Sequence, residues 1–372
     1  MKKLLLIAGT RPGTHLLAPL YDALKKNRAY QPVAILTVPE GIEPISSDLA
    51  ACFGLGDAAG SIVMSLLPGS PVEQLAEVMT GMEKILVTEK PDLVMVCGSD
   101  NVALGAALTA AKLGLPVAAV DAGLRSYERA DSEEINRIAI DAMAEYHFVS
   151  EHSGEYNLIN EGVADEKVFF VGNLAIDSLV KVMEQANQLP VSRAHGFRPK
   201  SYALVLLNPE GHFSRKEPLE MMLRLLKEVS SKTAVLIPQF DSIDTLLKQH
   251  GLDAAFSEIE NVKIISEPLA HAGLLLLLRD SVMLLTDIEE LQSEVTVMNV
   301  PCLTMMESAS RPVTIEIGTN VLVGLDEEDI ISRVHDILHP GKHKHESNRT
   351  KIPEKWDGAA AARIVTVLDR IV

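Results

Sequence analysis

LVMVCGSDNVALGAALTAAKLGLPVAAV, residues 93–120, is the stretch that decides the fold. Its first run, Leu93–Cys97, is short and continuously apolar, the pattern of a strand buried on both faces. Gly98-Ser99-Asp100 breaks the run. Asn101–Leu113 is helical in pattern, and a second β-type run, Val117–Val120, follows. Strand, crossover helix and strand in so short a span make one parallel βαβ unit.

The alternation extends in both directions. Upstream lie strands Leu4–Ala8 and Val33–Val38 and a helix over Pro71–Glu89. Downstream come His147–Val149 and Val168–Val171, the latter ending in Gly172-Asn173 before another helical segment. The polar, Pro-containing stretch Gln188–Ser201 reads as a linker. The pattern then restarts with Ala203–Leu207, Ala234–Ile237, Val262–Ile265, Val282–Leu285 and Cys302–Met305. The fold class is therefore α/β, with two Rossmann-like doubly wound domains facing a central cleft at the C-terminal strand ends. The expected division is 1–187, a linker 188–201, and 202–356. A final helix over Asp357–Val372 is expected to join the first domain.

Length and composition agree. A chain of 372 residues exceeds the usual size of a single core, and its 47% apolar share is that of a packed globular protein. The net charge of -17 argues against nonspecific binding to nucleic acid or to an anionic membrane, so a strongly anionic ligand needs a local cationic site. Cys52, Cys97 and Cys302 are far apart and form no CxxC or metal-like pair. The Met1-Lys2-Lys3 start and the apolar Leu4–Ile7 run mimic a signal peptide, but Gly9-Thr10-Arg11-Pro12 interrupts the run too early. Ala272–Leu278 is too short to span a bilayer. A cytoplasmic protein with reduced thiols is the expectation. No GxGxxG fingerprint follows a strand, so no nicotinamide cofactor is implied, and no metal. The basic, His-rich Gly341-Lys342-His343-Lys344-His345 reads as a solvated loop.

Short motifs carry the rest. Gly9-Thr10-Arg11-Pro12 follows the first strand, and Ala18-Pro19-Leu20 comes soon after. Asp121-Ala122-Gly123-Leu124-Arg125 precedes Ser132-Glu133-Glu134-Ile135-Asn136-Arg137. Val171-Gly172-Asn173 leads to Ile176-Asp177, and Thr286-Asp287 to Arg311-Pro312. In this order they resemble the GTRPE, EAGLR, PEEANR, GN…ID, TD and RP motifs of the non-hydrolysing UDP-N-acetylglucosamine 2-epimerase family. That fold, GT-B-like, is shared with many glycosyltransferases. The resemblance implies an isomerase that eliminates UDP to give a 2-acetamidoglucal and re-adds it with inversion at C2. Such chemistry needs a base for the C2 proton, an acid–base partner and donors for the leaving diphosphate. It implies Asp100, Asp121, Glu133, Arg137 and His212 as the catalytic set. Arg11, Thr286, Asp287, Glu294 and Arg311 would bind the substrate, a UDP-sugar, in a homodimeric protein. Glu133 and Arg137 also stand at helical spacing, so they share a helix face.

Departures cluster at the same places. The family's GTRPE ends here in Gly13, and Leu16, with His15 beside it, stands at a family lysine position. HGDT becomes Cys97-Gly98-Ser99-Asp100, which moves the carboxylate one place along. The family's His-Arg motif in the second domain is out of register around Asn208-Pro209-Glu210-Gly211-His212. Its TDSGGIQEE loop reads Thr286-Asp287-Ile288-Glu289-Glu290-Leu291-Gln292-Ser293-Glu294, with acids in place of the glycines. Acids at a helix N-terminus complement its dipole but repel a diphosphate, by roughly 1–4 kcal/mol per like-charge pair at about 4 Å. Replacing Glu289 and Glu290 by glycine is therefore expected to improve binding of UDP-N-acetylglucosamine. The family's allosteric segment is replaced by Val38-Pro39-Glu40-Gly41. Two rival readings stand beside the enzyme: a catalytically silent paralogue kept as a binding or scaffold protein, and a glycosyltransferase of the same architecture.

Overall fold

A computed structural model describes residues 1–9, 11–39, 47–55, 61–67, 69–186, 191–208, 211–238, 241–267, 269–339 and 351–372. Thr10, the Glu40-Gly41 pair, Pro209-Glu210 and the basic segment 341–345 lie outside the described residues. The chain divides into two compact units, 1–182 with 354–372, and 183–353.

The first unit is built on seven parallel strands: β1 (Lys2–Ala8), β2 (Tyr30–Pro39), β3 (Ser61–Leu66), β4 (Leu93–Cys97), β5 (Val117–Val120), β6 (Tyr146–Val149) and β7 (Val168–Phe170). Their order is β3-β2-β1-β4-β5-β6-β7, with Leu5 opposite Val94 where β1 meets β4. The order of strand addition reverses at this β1/β4 junction, the switch point of a doubly wound sheet. No residue of β4 is more than 1% exposed, as a strand covered on both faces requires. Leu5, Ile7, Val94 and Val96 pack with Val78, Met82 and Ala106 of the covering helices.

The second unit repeats the plan with β8 (Tyr202–Leu206), β9 (Ala234–Pro238), β10 (Val262–Ile265), β11 (Met283–Thr286), β12 (Cys302–Thr304) and β13 (Asn320–Leu322). The order β10-β9-β8-β11-β12-β13 puts its switch point between β8 and β11. Its own core gathers Val205, Phe213, Leu226, Leu285 and Ile330. Among the described residues, no helix is long and apolar enough to cross a membrane.

Strands β3 and β13 are absent from the sequence reading. β3 is a half-exposed edge strand, and β13 is only three residues long, so neither leaves a continuous apolar run. The stretch read as a linker is also more ordered than expected. Val191–Ala194 is a helical turn, Ser192 Oγ donates to Asp280 Oδ2 at 3.0 Å, and Lys200 Nζ donates to the carbonyls of Arg279 and Ser281 at 2.8 and 2.7 Å. These bonds stitch 191–200 onto the second unit.

The helix Ala360–Ile371 belongs to the first unit. Its buried stripe is Ala360, Ala361, Ile364 and Leu368, and its first two N–H groups donate to the Asp177 carboxylate at 3.0 and 2.9 Å. Just upstream, Trp356 is 2% exposed and its indole donates to the Ser150 carbonyl at 2.9 Å. Lys355 passes so close to Gly172 (φ 94°) that a Cβ there would run into its carbonyl oxygen. The Gly172…Asp177 motif therefore seats this segment. Burial pushes the Asp177 carboxyl up to about 6, against the pull of the two N–H groups. Between its ordinary value and about 6 the native state holds a proton that the unfolded chain has lost, so this group's contribution falls as pH rises through that window. Asp177→Ala should expose the Ala360–Ile371 amides to hydrogen exchange and cost about 1–2 kcal/mol, the scale of a lost cap. Asp177→Asn should flatten the dependence of stability on pH between 4 and 6, read by denaturant titration.

Candidate active site

At the C-terminal edge of the first sheet, the turn after β4 carries the first candidates. Gly98 adopts φ 101°, a left-handed conformation that turns the chain out of the strand. Asp100 caps the helix Asn101–Lys112, its carboxylate accepting the Ala103 N–H at 2.8 Å. The displaced carboxylate thus serves the helix, and the residue before it takes another role. Ser99 Oγ donates to Glu133 Oε2 at 2.9 Å. Asp121 follows β5 at φ 65°, a strained setting for a residue with a side chain. Both Asp121 and Asp100 add to the burial that pushes the Cys97 thiol up. The candidate carboxylates therefore gather around the end of β4.

Helix Ser132–Met143 supplies the next group. Its two adjacent glutamates diverge. Glu134 is 1% exposed and accepts the backbone N–H groups of Ser126 and Tyr127 at 2.9 and 3.0 Å, and Arg137 Nε at 3.0 Å. Burial pushes its carboxyl up, but those donors outweigh it and hold the group below its usual range. Glu133 keeps 53% of its side chain exposed, 3.7 Å from Arg137. Its carboxyl lies above the usual range, raised chiefly by desolvation, with Asp131 and Asp100 adding and Ser99 and Arg137 opposing. Arg137 also reaches Asp131 at 3.0 Å. The arrangement sets one buried cation beside one half-exposed carboxyl held above its usual range.

Arg125 is not part of that group. It is 3% exposed, pairs with Asp141 at 2.8 Å, and grips Glu161 through two nitrogens at 2.9 and 2.6 Å. Asp141 in turn accepts the Gly123 N–H at 3.0 Å. Sequence reading quotes this arginine in a motif without finding its partners, which lie far along the chain. Glu134 is missed for the same reason. Arg11 is the first residue of helix Arg11–Lys26, after β1, and its side chain lies outside the described residues.

In the second unit, Thr286 ends β11 and is fully buried, its hydroxyl accepting the Ile288 N–H at 3.0 Å. Asp287 accepts the Asn208 N–H at 2.6 Å, tying the end of β11 to the loop after β8. Glu294 is buried in helix Leu291–Met298, 3.7 Å from the buried His271. Arg311 stands half-buried, with its carbonyl accepting Thr314 Oγ1 at 2.9 Å. His212 opens the short turn His212–Ser214 after β8, and its side chain lies outside the described residues. The two acids of the loop after β11 differ in their partners. Glu289 is not a bare charge at the helix N-terminus, because its carboxylate accepts both the backbone N–H and the hydroxyl of Ser310. Only Glu290, the N-cap residue, is exposed there.

Two parallel sheets in Rossmann order, with charged side chains gathered at the C-terminal strand ends, define the class of two-Rossmann nucleotide-handling proteins. The family described as UDP-N-acetylglucosamine 2-epimerase matches residues 53–369. The UDP-N-acetylglucosamine 2-epimerase of Methanocaldococcus jannaschii is 31% identical over 343 residues, 91% of this chain and 92% of that protein. The Salmonella typhimurium enzyme of the same name is 26% identical over 98% of both chains. The crystal structure of the M. jannaschii epimerase in complex with UDP-GlcNAc and UDP superposes with a TM-score of 0.86 at 30% identity, covering 99% of each chain. This chain belongs to the UDP-N-acetylglucosamine 2-epimerase family, a family of isomerases.

The ion-pair reading of Arg125 has a direct check. Arg125→Ala leaves Asp141 buried without its cation, and should cost about 3–5 kcal/mol in urea unfolding. Unchanged stability would show that the pair does not anchor the loop.

Proposed function

We propose that this chain is a sugar-nucleotide 2-epimerase that inverts C2 of a UDP-N-acetylhexosamine by eliminating and re-adding UDP. The observation that carries the reading is Glu133: a carboxyl above its usual range, fixed by Ser99 and flanked by Arg137 at the end of β4. A relative of the chain is solved in complex with UDP-GlcNAc and UDP, which supports a UDP-sugar as the ligand. In this reading Glu133, with Asp121, takes the C2 proton as the C1–oxygen bond to the diphosphate breaks. Delivery of a proton to the opposite face of C2 by a second acid–base group, and re-addition of UDP at C1, complete the inversion. Arg137 offsets charge on the departing or reacting groups. Arg11 and Arg311 supply cations for the phosphates, His212 an acid–base partner, and Glu294 an acceptor for the ribose hydroxyls. Asp100, engaged as a helix cap, supports the geometry of the turn and raises the Glu133 carboxyl.

A second reading, a binding protein without turnover, is favoured by two features: the cap role of Asp100 and the acids in the loop after β11. Incubation with UDP-GlcNAc in heavy water separates the two. Epimerisation should place deuterium at C2 of both epimers by NMR, and Glu133→Gln should slow that exchange by about 10²–10⁴-fold. Binding without exchange would leave only the second reading.

The loop after β11 gives a further expectation. Glu290→Gly removes an exposed negative charge and should strengthen UDP binding in calorimetry by up to about tenfold, less at high salt. Glu289→Gly should not help, because it releases Ser310 beside Arg311. Equal gains from both variants would mean that the Glu289–Ser310 tie has no part in shaping the site.

A further inference from the structure

Two groups hold the Glu133 carboxylate, and both act on the same oxygen. Ser99 Oγ donates to Oε2 at 2.9 Å, and Arg137 Nη1 stands 3.7 Å from Oε2. Among the described residues no hydrogen bond reaches Oε1, although half of the side chain is open to solvent. Ser99 is itself fixed. It follows the left-handed Gly98 at the end of β4, and its carbonyl accepts Asn136 Nδ2 at 2.9 Å from the same helix that carries Glu133. Asn136 Nδ2 also contacts Asn101 Oδ1 at 3.2 Å, so turn and helix are locked together. With the Ser99 backbone held in this way, its Oγ lies within hydrogen-bond distance of Glu133, whose ionised oxygens can only accept.

We propose that Ser99 is a positioning residue for the proton transfer: its hydroxyl, bound to Glu133 Oε2 beside Arg137, leaves Oε1 as the oxygen that takes the C2 proton. The inference rests on the epimerase reading for its chemistry, and on the Ser99–Glu133 geometry for its mechanism. A donor on Oε2 stabilises the carboxylate over the carboxylic acid. Four groups act on this carboxyl. Asp131 at the cap of its own helix and Asp100 across the turn push it up, as desolvation does. Ser99 and Arg137 push it down. Removing the hydroxyl leaves Arg137 alone against the acids. The carboxyl then holds its proton to higher pH, and a base that holds its proton is inactive.

The test uses the full chain with ¹³C-labelled glutamate carboxyls, the Glu133 signal being assigned by its loss in Glu133→Gln. In Ser99→Ala the Glu133 titration midpoint should rise by about one pH unit, the equivalent of one hydrogen bond to a charged group. The acid limb of kcat/KM for UDP-GlcNAc should move up with it, so that kcat falls about tenfold below that limb while KM stays within about twofold. Ser99→Thr, which keeps the hydroxyl, should restore both. A midpoint that stays put in Ser99→Ala overturns the proposal. So does a midpoint that moves while the acid limb does not, since Ser99 would then be a structural donor alone. Absence of any C2 exchange in the unaltered protein would instead sink the epimerase reading, and the titration would still report whether Ser99 sets the Glu133 carboxyl.

Discussion

A strand covered on both faces has no side chain to spare for chemistry. Every residue of β4 lies in the core, and the flanking strands of the first sheet are nearly as closed. In a parallel sheet all strands also end on the same edge, so the turns leaving those ends are the only places where polar side chains can collect beside the core. The cluster around Gly98, Asp121 and helix Ser132–Met143 follows from that constraint. So does the Asp287 bond to Asn208, which occupies the equivalent corner of the second sheet.

At that edge, chemically identical groups are separated by their surroundings. Glu133 and Glu134 are neighbours, yet one is sealed under two backbone N–H groups and an arginine while the other stands half in solvent. Donor count decides the difference. A carboxylate with four donors stays ionised even when buried, whereas one with a single hydroxyl and a distant guanidinium, near two further acids, can hold a proton. The same sorting applies to Ser99 and Asp100. The acid takes the helix cap, where its charge suits the dipole, and the neutral hydroxyl faces the Glu133 carboxyl.

Much of this was legible in the sequence, for a physical reason. Runs such as Leu4–Ala8 and Leu93–Cys97 are apolar throughout because both faces are buried, and that pattern survives without any tertiary knowledge. β3 and β13 left no such trace, one being an edge strand and the other a three-residue strand. The Glu133–Arg137 pair could be read from helical spacing alone. Arg125, Glu134 and Asp177 could not be interpreted, because what each does is set by residues far away in the chain: Asp141 and Glu161, Ser126 and Tyr127, Ala360 and Ala361. The partner of Glu289 was hidden in the same way. Local pattern places an acid at a helix start, but only the folded chain shows Ser310 lying against it.

The seat for Ala360–Ile371 has a bearing on how the chain is made. Its acceptor, Asp177, and the narrow passage at Gly172 are synthesised early, while the segment that fills them emerges only after the whole of 183–353. Until then the Asp177 carboxylate lacks the N–H groups of Ala360 and Ala361, and the surface that buries Ile364 and Leu368 is uncovered. The unit translated first is thus the one completed last, and its unfinished surface is exposed for the whole time the second unit takes to appear. In a chain of this topology the last residues made are the ones that close the first sheet's unit.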